Sequence, residues 1–218
     1  MYGEIRRWAQ QLPVGELLDL DDVQRAFPGK SRDAIKMALG RLCRGDDPII
    51  ARCCRGIYCR RLLGTRNRVP MPSAARQALS WRVAGPGSGI TGPYVINTFG
   101  WSTQVPPRLW LAVVGRPPRC PEAGAVFVGR SNTKRLELTP GEVALLEGVR
   151  CFDDWAEMSW GQALEKFARY TRLGYYNGTV REDVLLEAAE AERGLGPDFL
   201  PRCRELTTTA ASVATVGV

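Results

Sequence analysis

A chain without histidine is barred from much of side-chain chemistry. None of the 218 residues is His, which excludes an imidazole general base, Ser-His-Asp and Cys-His nucleophiles, and any His-containing zinc site. Seven cysteines are left as possible ligands or nucleophiles: Cys43, Cys53, Cys54, Cys59, Cys120, Cys151 and Cys203. The first four crowd together, but no C-x-x-C pair occurs, so they read as small buried hydrophobes and no metal is expected. An odd count without a secretory segment points to reduced thiols and a cytoplasmic location. Asp153, Asp154 and Glu157 are the densest carboxylates of the C-terminal half. With no phosphate loop or nucleophile nearby they read as a solvated helix start, where acids favour the dipole. Gly87-Ser88-Gly89-Ile90-Thr91-Gly92 matches G-x-G-x-x-G in letters. A dinucleotide loop needs a strand before it and a helix after it, and no strand is expected before Gly87. No catalytic residue and no cofactor is therefore expected, and the protein does not read as an enzyme.

The chemistry that the sequence does support is that of fixed positive charge. Ser31, Arg32, Lys36, Met37, Arg41 and Arg44 share one stretch with Arg52, Arg55, Arg60 and Arg61 close behind. Guanidinium forks match guanine O6 and N7 as well as phosphate oxygens, so such a set suits double-stranded DNA. The charge is also uneven. Residues 1–68 hold 14 Lys+Arg against 8 Asp+Glu, whereas the rest of the chain holds 16 against 15. A polyanion partner is thus expected for the first third alone.

Those charges need elements to aim them. Met1–Leu12 is expected as a first helix, with Ile5, Trp8, Ala9 and Leu12 on one face. Leu20, Val23 and Phe27 predict a second. Pro28-Gly29-Lys30 breaks it, and Ser31 caps a third in which Ile35, Ala38, Leu39 and Leu42 point inward. Two helices around a short Gly-containing turn match the helix-turn-helix pattern, whose second helix enters the major groove. Ile49-Ile50-Ala51, a turn at Arg55-Gly56 and Ile57-Tyr58-Cys59 predict a hairpin placed like a wing, its arginines on phosphates or in the minor groove.

The fold class expected is α+β. Residues 1–69 form a winged helix-turn-helix domain, 70–206 a mixed, mainly helical domain with a small sheet, and 207–218 a mobile tail. A linker is expected at Arg61–Pro70, whose Arg66 and Arg68 lie within reach of a DNA backbone. Beyond it, helices are expected at Ser73–Ala84 (packing through Ala74, Ala78, Leu79 and Trp81), from a Thr91 N-cap, from the T-x-x-E box at Thr139 through Leu146, at Trp155–Tyr170, at Val180–Arg193 and near Phe199–Leu206. Strands are expected at Arg108–Val114, Ala125–Val128 and Arg135–Leu138, and a turn at Tyr175–Gly178. No apolar run approaches membrane-spanning length. Ser102, Thr103 and Gln104 read as polar donors that satisfy a loop.

One family fits these segments. RLCRGDDPIIARCCRGIYCRR (Arg41–Arg61) resembles the N-terminal domain of AbiEi-type antitoxins of type IV toxin–antitoxin systems. Gly100-Trp101-Ser102-Thr103-Gln104-Val105-Pro106 resembles that family's G-[LW]-S-T-Q-[VI]-P turn, and TPGEVALLEGVR continues the similarity, which spans most of residues 1–206. The resemblance implies a repressor that binds inverted repeats upstream of its own operon, with Ser31–Arg44 as recognition helix and Arg52–Arg61 as wing. It also implies a C-terminal domain that counters a nucleotidyltransferase toxin. The residues themselves leave two alternatives open: a protein-interaction module, and a stand-alone DNA-binding regulator with no toxin partner.

Overall fold

A computed structural model describes residues 2–44, 48–61, 71–173 and 180–214. The expected linker at 62–70, the turn at Tyr175–Gly178 and the last four residues of the tail lie outside the described residues. The fold is mixed α+β, with helices predominating over two small three-stranded sheets. Two compact units emerge, Met1–Val83 with Arg119–Gly124, and Ala84–Pro118 with Ala125–Val218.

The first unit runs α1 (Tyr2–Gln11), β1 (Leu17–Asp19), α2 (Leu20–Ala26), α3 (Arg32–Leu42), β2 (Ile50–Cys54), β3 (Ile57–Arg60) and α4 (Ser73–Ala84). The three strands form an antiparallel sheet ordered β1-β3-β2, in which Tyr58 stands opposite both Leu18 and Arg52. Its core is Ile5, Ala9, Leu18, Val23, Ile35, Ala38, Leu39, Leu42, Ile49 and Ile50. Spacing explains this set. Each helix offers one apolar stripe at i, i+3 or i+4, and the sheet closes the layer. Strand β1 was not expected. It owes its pairing to β3, extended by bonds between Gly15 N and Arg60 O at 3.0 Å and between Arg60 N and Glu16 O at 2.9 Å.

Helix α2 starts with a capping box. Asp19 accepts from the Asp21 and Asp22 amides at 2.8 Å, and Asp22 accepts from the Asp19 amide at 2.8 Å. Arg82 on α4 reaches the same two carboxylates, 2.5 Å from each. Helix α4, grouped by sequence with the second domain, therefore packs with the first unit. Its buried residues are Leu79 and Ser80, whereas Ala74 and Ala78 are exposed, contrary to the packing face expected. Ser80 Oγ donates to Ala123 O at 3.1 Å, bringing the 119–124 segment into this unit.

In the second unit, β4 (Gly89–Ile90) pairs antiparallel with β5 (Trp110–Val114), which pairs parallel with β6 (Val126–Arg130). Helices α5 (Gly92–Thr98), α6 (Pro140–Arg150), α7 (Phe152–Trp155), α8 (Trp160–Arg172), α9 (Glu182–Glu190) and α10 (Phe199–Ala214) complete it. Helix α6 is buried from Glu142 to Val149 and packs against β4, α5, α9 and α10.

Three expected elements differ. Arg135–Leu138 is no strand, because Thr133–Glu137 forms a 3₁₀ turn capped by Asn132, which turns Arg135 inward. The helix expected over Trp155–Tyr170 is broken after α7, where Ala156 is extended and Ser159 opens α8 with its own capping box. The tail expected to be mobile continues α10 through Ala214. Leu206, Thr207 and Ala210 are buried on it, and the Thr207–Thr209 hydroxyls bond back to carbonyls of the preceding turn.

Candidate nucleic-acid interface

Helix α3 sorts its residues by face. Ile35, Ala38, Leu39 and Leu42 are buried, while Ser31, Arg32, Asp33, Lys36, Met37, Arg41 and Arg44 are exposed. Ser31 Oγ caps the helix by accepting from the Ala34 amide at 3.3 Å. The turn before it is held by Gln24, whose Nε2 donates to Lys30 O at 2.9 Å.

Two acids that sequence reasoning left out of the site modulate this face. Asp21 on α2 lies 2.7 Å from Arg32, and Asp33 lies 3.1 Å from Lys36. Arg44 lies back along the helix, its Nε donating to Gly40 O at 3.1 Å. The Arg41 side chain makes no hydrogen bond or ion pair among the described residues.

The β2–β3 hairpin puts Arg52 and Arg55 on its surface, with Gly56 at φ +83° completing the tip. A left-handed turn there favours glycine. Arg52 Nε donates to Cys54 O at 3.2 Å beside a register shift between Arg52 and Cys54. Arg61 is half-buried.

Arg60, expected on the hairpin's outer edge, is only 5% exposed. Its guanidinium donates to Ile49 O at 3.1 Å, to Gln10 O at 3.4 Å and to Arg61 O. It ties α1 to the base of the hairpin and is not displayed to a partner. The reason is register: alternation would send residue 60 outward, but Cys59 and Arg60 are both turned in as β3 ends.

The thiols near the hairpin behave as packing groups. Burial pushes the Cys43 and Cys54 thiols up, the latter to about 11. Cys120 Sγ lies 3.8 Å from Cys53 O. Among the described residues no group of three or more His, Cys, Asp or Glu is arranged to hold a metal ion.

The remaining sequence candidates lie in the second unit. Gly87 and Gly89 run into β4 and α5 through tight packing. A Cβ at Gly87, whose φ is +68°, would stand 2.6 Å from Arg135 O, and one at Gly89 would stand 2.6 Å from the Val143 Cβ. Thr91 sits at the N-cap position of α5 but makes no capping bond; its hydroxyl donates to Glu147. In the Gly100–Pro106 turn, Trp101 is fully buried and donates from Nε1 to Ala163 O at 2.9 Å. Ser102 Oγ accepts from the Gln104 amide at 3.0 Å, and the Thr103 amide and hydroxyl donate to Glu157 at 2.8 and 2.9 Å. Asp153 pairs with Arg202 at 2.8 Å.

A buried ionic network, not expected from the sequence, surrounds α6. Glu147 lies 2.6 Å from Arg130 and 2.7 Å from Arg135, while Glu192 lies 2.6 Å from Arg135 and 2.7 Å from Arg150. Glu147 and Arg135 are both 0% exposed. Burial by itself would raise the Glu147 carboxyl. The Arg130 hydrogen bond, the Arg135 and Arg130 charges and the Thr91 hydroxyl overcome that and hold it at about 2. A charged Glu inside the run VALLEGV was the available signal, since such residues are rarely buried unless paired.

No protein-family profile matches the chain, and no curated protein does. Among solved structures, the chain is similar to the crystal structure of the RV2827C protein from Mycobacterium tuberculosis, at TM-score 0.39 and 11% identity over 98% of this chain and 78% of that one. Among the described residues no helix is long and apolar enough to cross a membrane.

Proposed function

We propose that the first unit is a winged helix-turn-helix that binds double-stranded DNA sequence-specifically, with α3 as recognition helix and β2–β3 as wing. The observation that carries this reading is the outward face of α3. Arg32, Lys36, Met37 and Arg41 are exposed on it, and the hairpin displaying Arg52 and Arg55 follows directly in the chain. The order α1-β1-α2-α3-β2-β3 and the antiparallel sheet β1-β3-β2 support it, since a winged motif needs the hairpin directly after the recognition helix. Bound in this way, Arg32, Lys36, Met37 and Arg41 face base edges, while Arg44, Arg52, Arg55 and Arg61 hold phosphates.

In the fuller reading the protein is a cytoplasmic repressor of its own operon, acting on inverted repeats, and the antitoxin that counters a nucleotidyltransferase toxin. Support for the antitoxin role is the sequence resemblance at Gly100–Pro106 and along α6. Fluorescence-anisotropy titration onto the DNA upstream of its gene, against scrambled duplex at two salt concentrations, tests the DNA reading. Preference for the upstream duplex that survives the higher salt is expected. Equal and steeply salt-sensitive binding to both would reduce the face to a nonspecific phosphate contact, and no binding would leave a protein-interaction module. Growth rescue on co-expression with a nucleotidyltransferase encoded beside it tests the antitoxin role.

A further inference from the structure

The outward face of α3 carries one residue that phosphate contact does not require. Met37 is 61% exposed and sits midway along Arg32–Leu42. A thioether offers a phosphate oxygen nothing, because phosphate is bound by charged and hydrogen-bonding donors. On a helix lying in the major groove, the base-edge feature that suits an apolar side chain is the C5 methyl of thymine. Methionine is unbranched and polarizable, so it can follow that methyl without fixed shape.

The cations around Met37 divide into two sets. Arg32 and Lys36 are already engaged by Asp21 and Asp33, at 2.7 and 3.1 Å. Arg41, four residues after Met37 on the same ridge, has no such partner among the described residues. Unengaged among the described residues, its fork has the geometry to take guanine O6 and N7. Four residues of helix rise about 6 Å, and one base step rises about 3.4 Å, so the two side chains reach bases about two steps apart.

Resting on the DNA-binding reading above, we propose that Met37 and Arg41 form one reading unit for a thymine and a guanine within about two base pairs of each other in each half-site. Met37 packs on the thymine methyl, and Arg41 bonds the guanine.

The test begins by selecting duplexes bound by the full chain from a random pool. Each thymine of the selected site is then replaced by deoxyuridine, which lacks only the methyl, and each guanine by 7-deazaguanine. One deoxyuridine is expected to weaken wild-type binding about fourfold, the effect of losing one buried methyl-sized group. Met37→Ala should bind the thymine and uracil duplexes alike, and Met37→Leu should keep the difference. A guanine within two steps should lose affinity on 7-deaza substitution in wild type and not in Arg41→Ala. A selected site bound specifically yet indifferent to deoxyuridine everywhere would overturn the assignment while leaving sequence-specific binding intact. A uracil penalty undiminished in Met37→Ala would do the same. Failure of any sequence to be enriched would overturn the DNA reading itself, and this assignment with it.

Discussion

Replacing Glu147 by Gln probes the second unit at its most charged point. The substitution keeps shape and removes one negative charge from between Arg130 and Arg135, leaving Arg135, itself 0% exposed, with Glu192 as its carboxylate partner among the described residues. Breaking a buried pair from one side costs about 3–5 kcal/mol, because the remaining charge stays out of water. Linkage gives a similar figure independently. A carboxyl whose ordinary value is 4.5 and which is held at about 2 in the folded chain contributes about 3 kcal/mol, at about 1.4 kcal/mol per pH unit. For a chain of this length 1 kcal/mol is about 2–4 °C, so Glu147→Gln should unfold roughly 6–20 °C below wild type at pH 7 by calorimetry. The sign with pH follows from the lowered value. The stabilisation is complete above the unfolded carboxyl's range and is lost as pH falls towards 2, so the gap between wild type and variant should close on acidification. Replacing the pair together, Glu147→Leu with Arg135→Met, should recover the part of the loss that comes from Arg135 but not the part from Arg130, which also sits on Glu147. A variant melting within 2 °C of wild type, or a gap that stays constant from pH 7 to pH 3, would refute the reasoning.

Other expectations separate structural from contacting residues. Arg55→Ala should weaken binding to every duplex and lower the salt slope by about one, with an unchanged melting temperature. Arg60→Ala should instead lower the melting temperature, because it strips buried carbonyls of their donor; a purely DNA-side effect would return Arg60 to the interface. Asp19→Ala should destabilise the first unit by about 1–2 kcal/mol in urea titration, since it removes the α2 cap and one carboxylate of Arg82. The effect should fade on acidification, because burial raises Asp19 but backbone amides and Arg82 outweigh it and hold it below the ordinary range. Gly89→Ala should be destabilising without any ligand present, as its Cβ would sit 2.6 Å from Val143; a melting temperature equal to wild type would contradict that close approach.

What could be read from the residues was whatever depends on local period. The buried set of α3, the hairpin turning at Arg55-Gly56 and the Thr139 capping box follow from spacing, caps and turn chemistry. What could not be read was set by distant partners. Arg135 lies in a stretch that alternates like a strand, yet Glu147 and Glu192, 12 and 57 residues on, draw it inward into a 3₁₀ turn. Arg60 looked like a fourth surface arginine until the carbonyls of Gln10 and Ile49 claimed it. Threonines 207–209 suggested a loose tail, whereas burial of Leu206 and Ala210 makes them part of a helix. At the candidate interface the basic residues and Asp33, three residues before Lys36, were legible, but the acid that holds Arg32 was not, since Asp21 comes from another helix.

The 119–124 segment has a consequence for how this gene can be cut. It is the connection between β5 and β6, two adjacent strands of the second unit, yet it belongs to the first. The chain therefore passes from one unit to the other three times, at 83/84, 118/119 and 124/125. No single truncation yields either unit whole. A fragment ending near residue 69 lacks both α4, with the Arg82 clamp on Asp19 and Asp22, and the carbonyl of Ala123 that Ser80 binds. Recombination that shuffles domains at one crossover would likewise leave both halves incomplete.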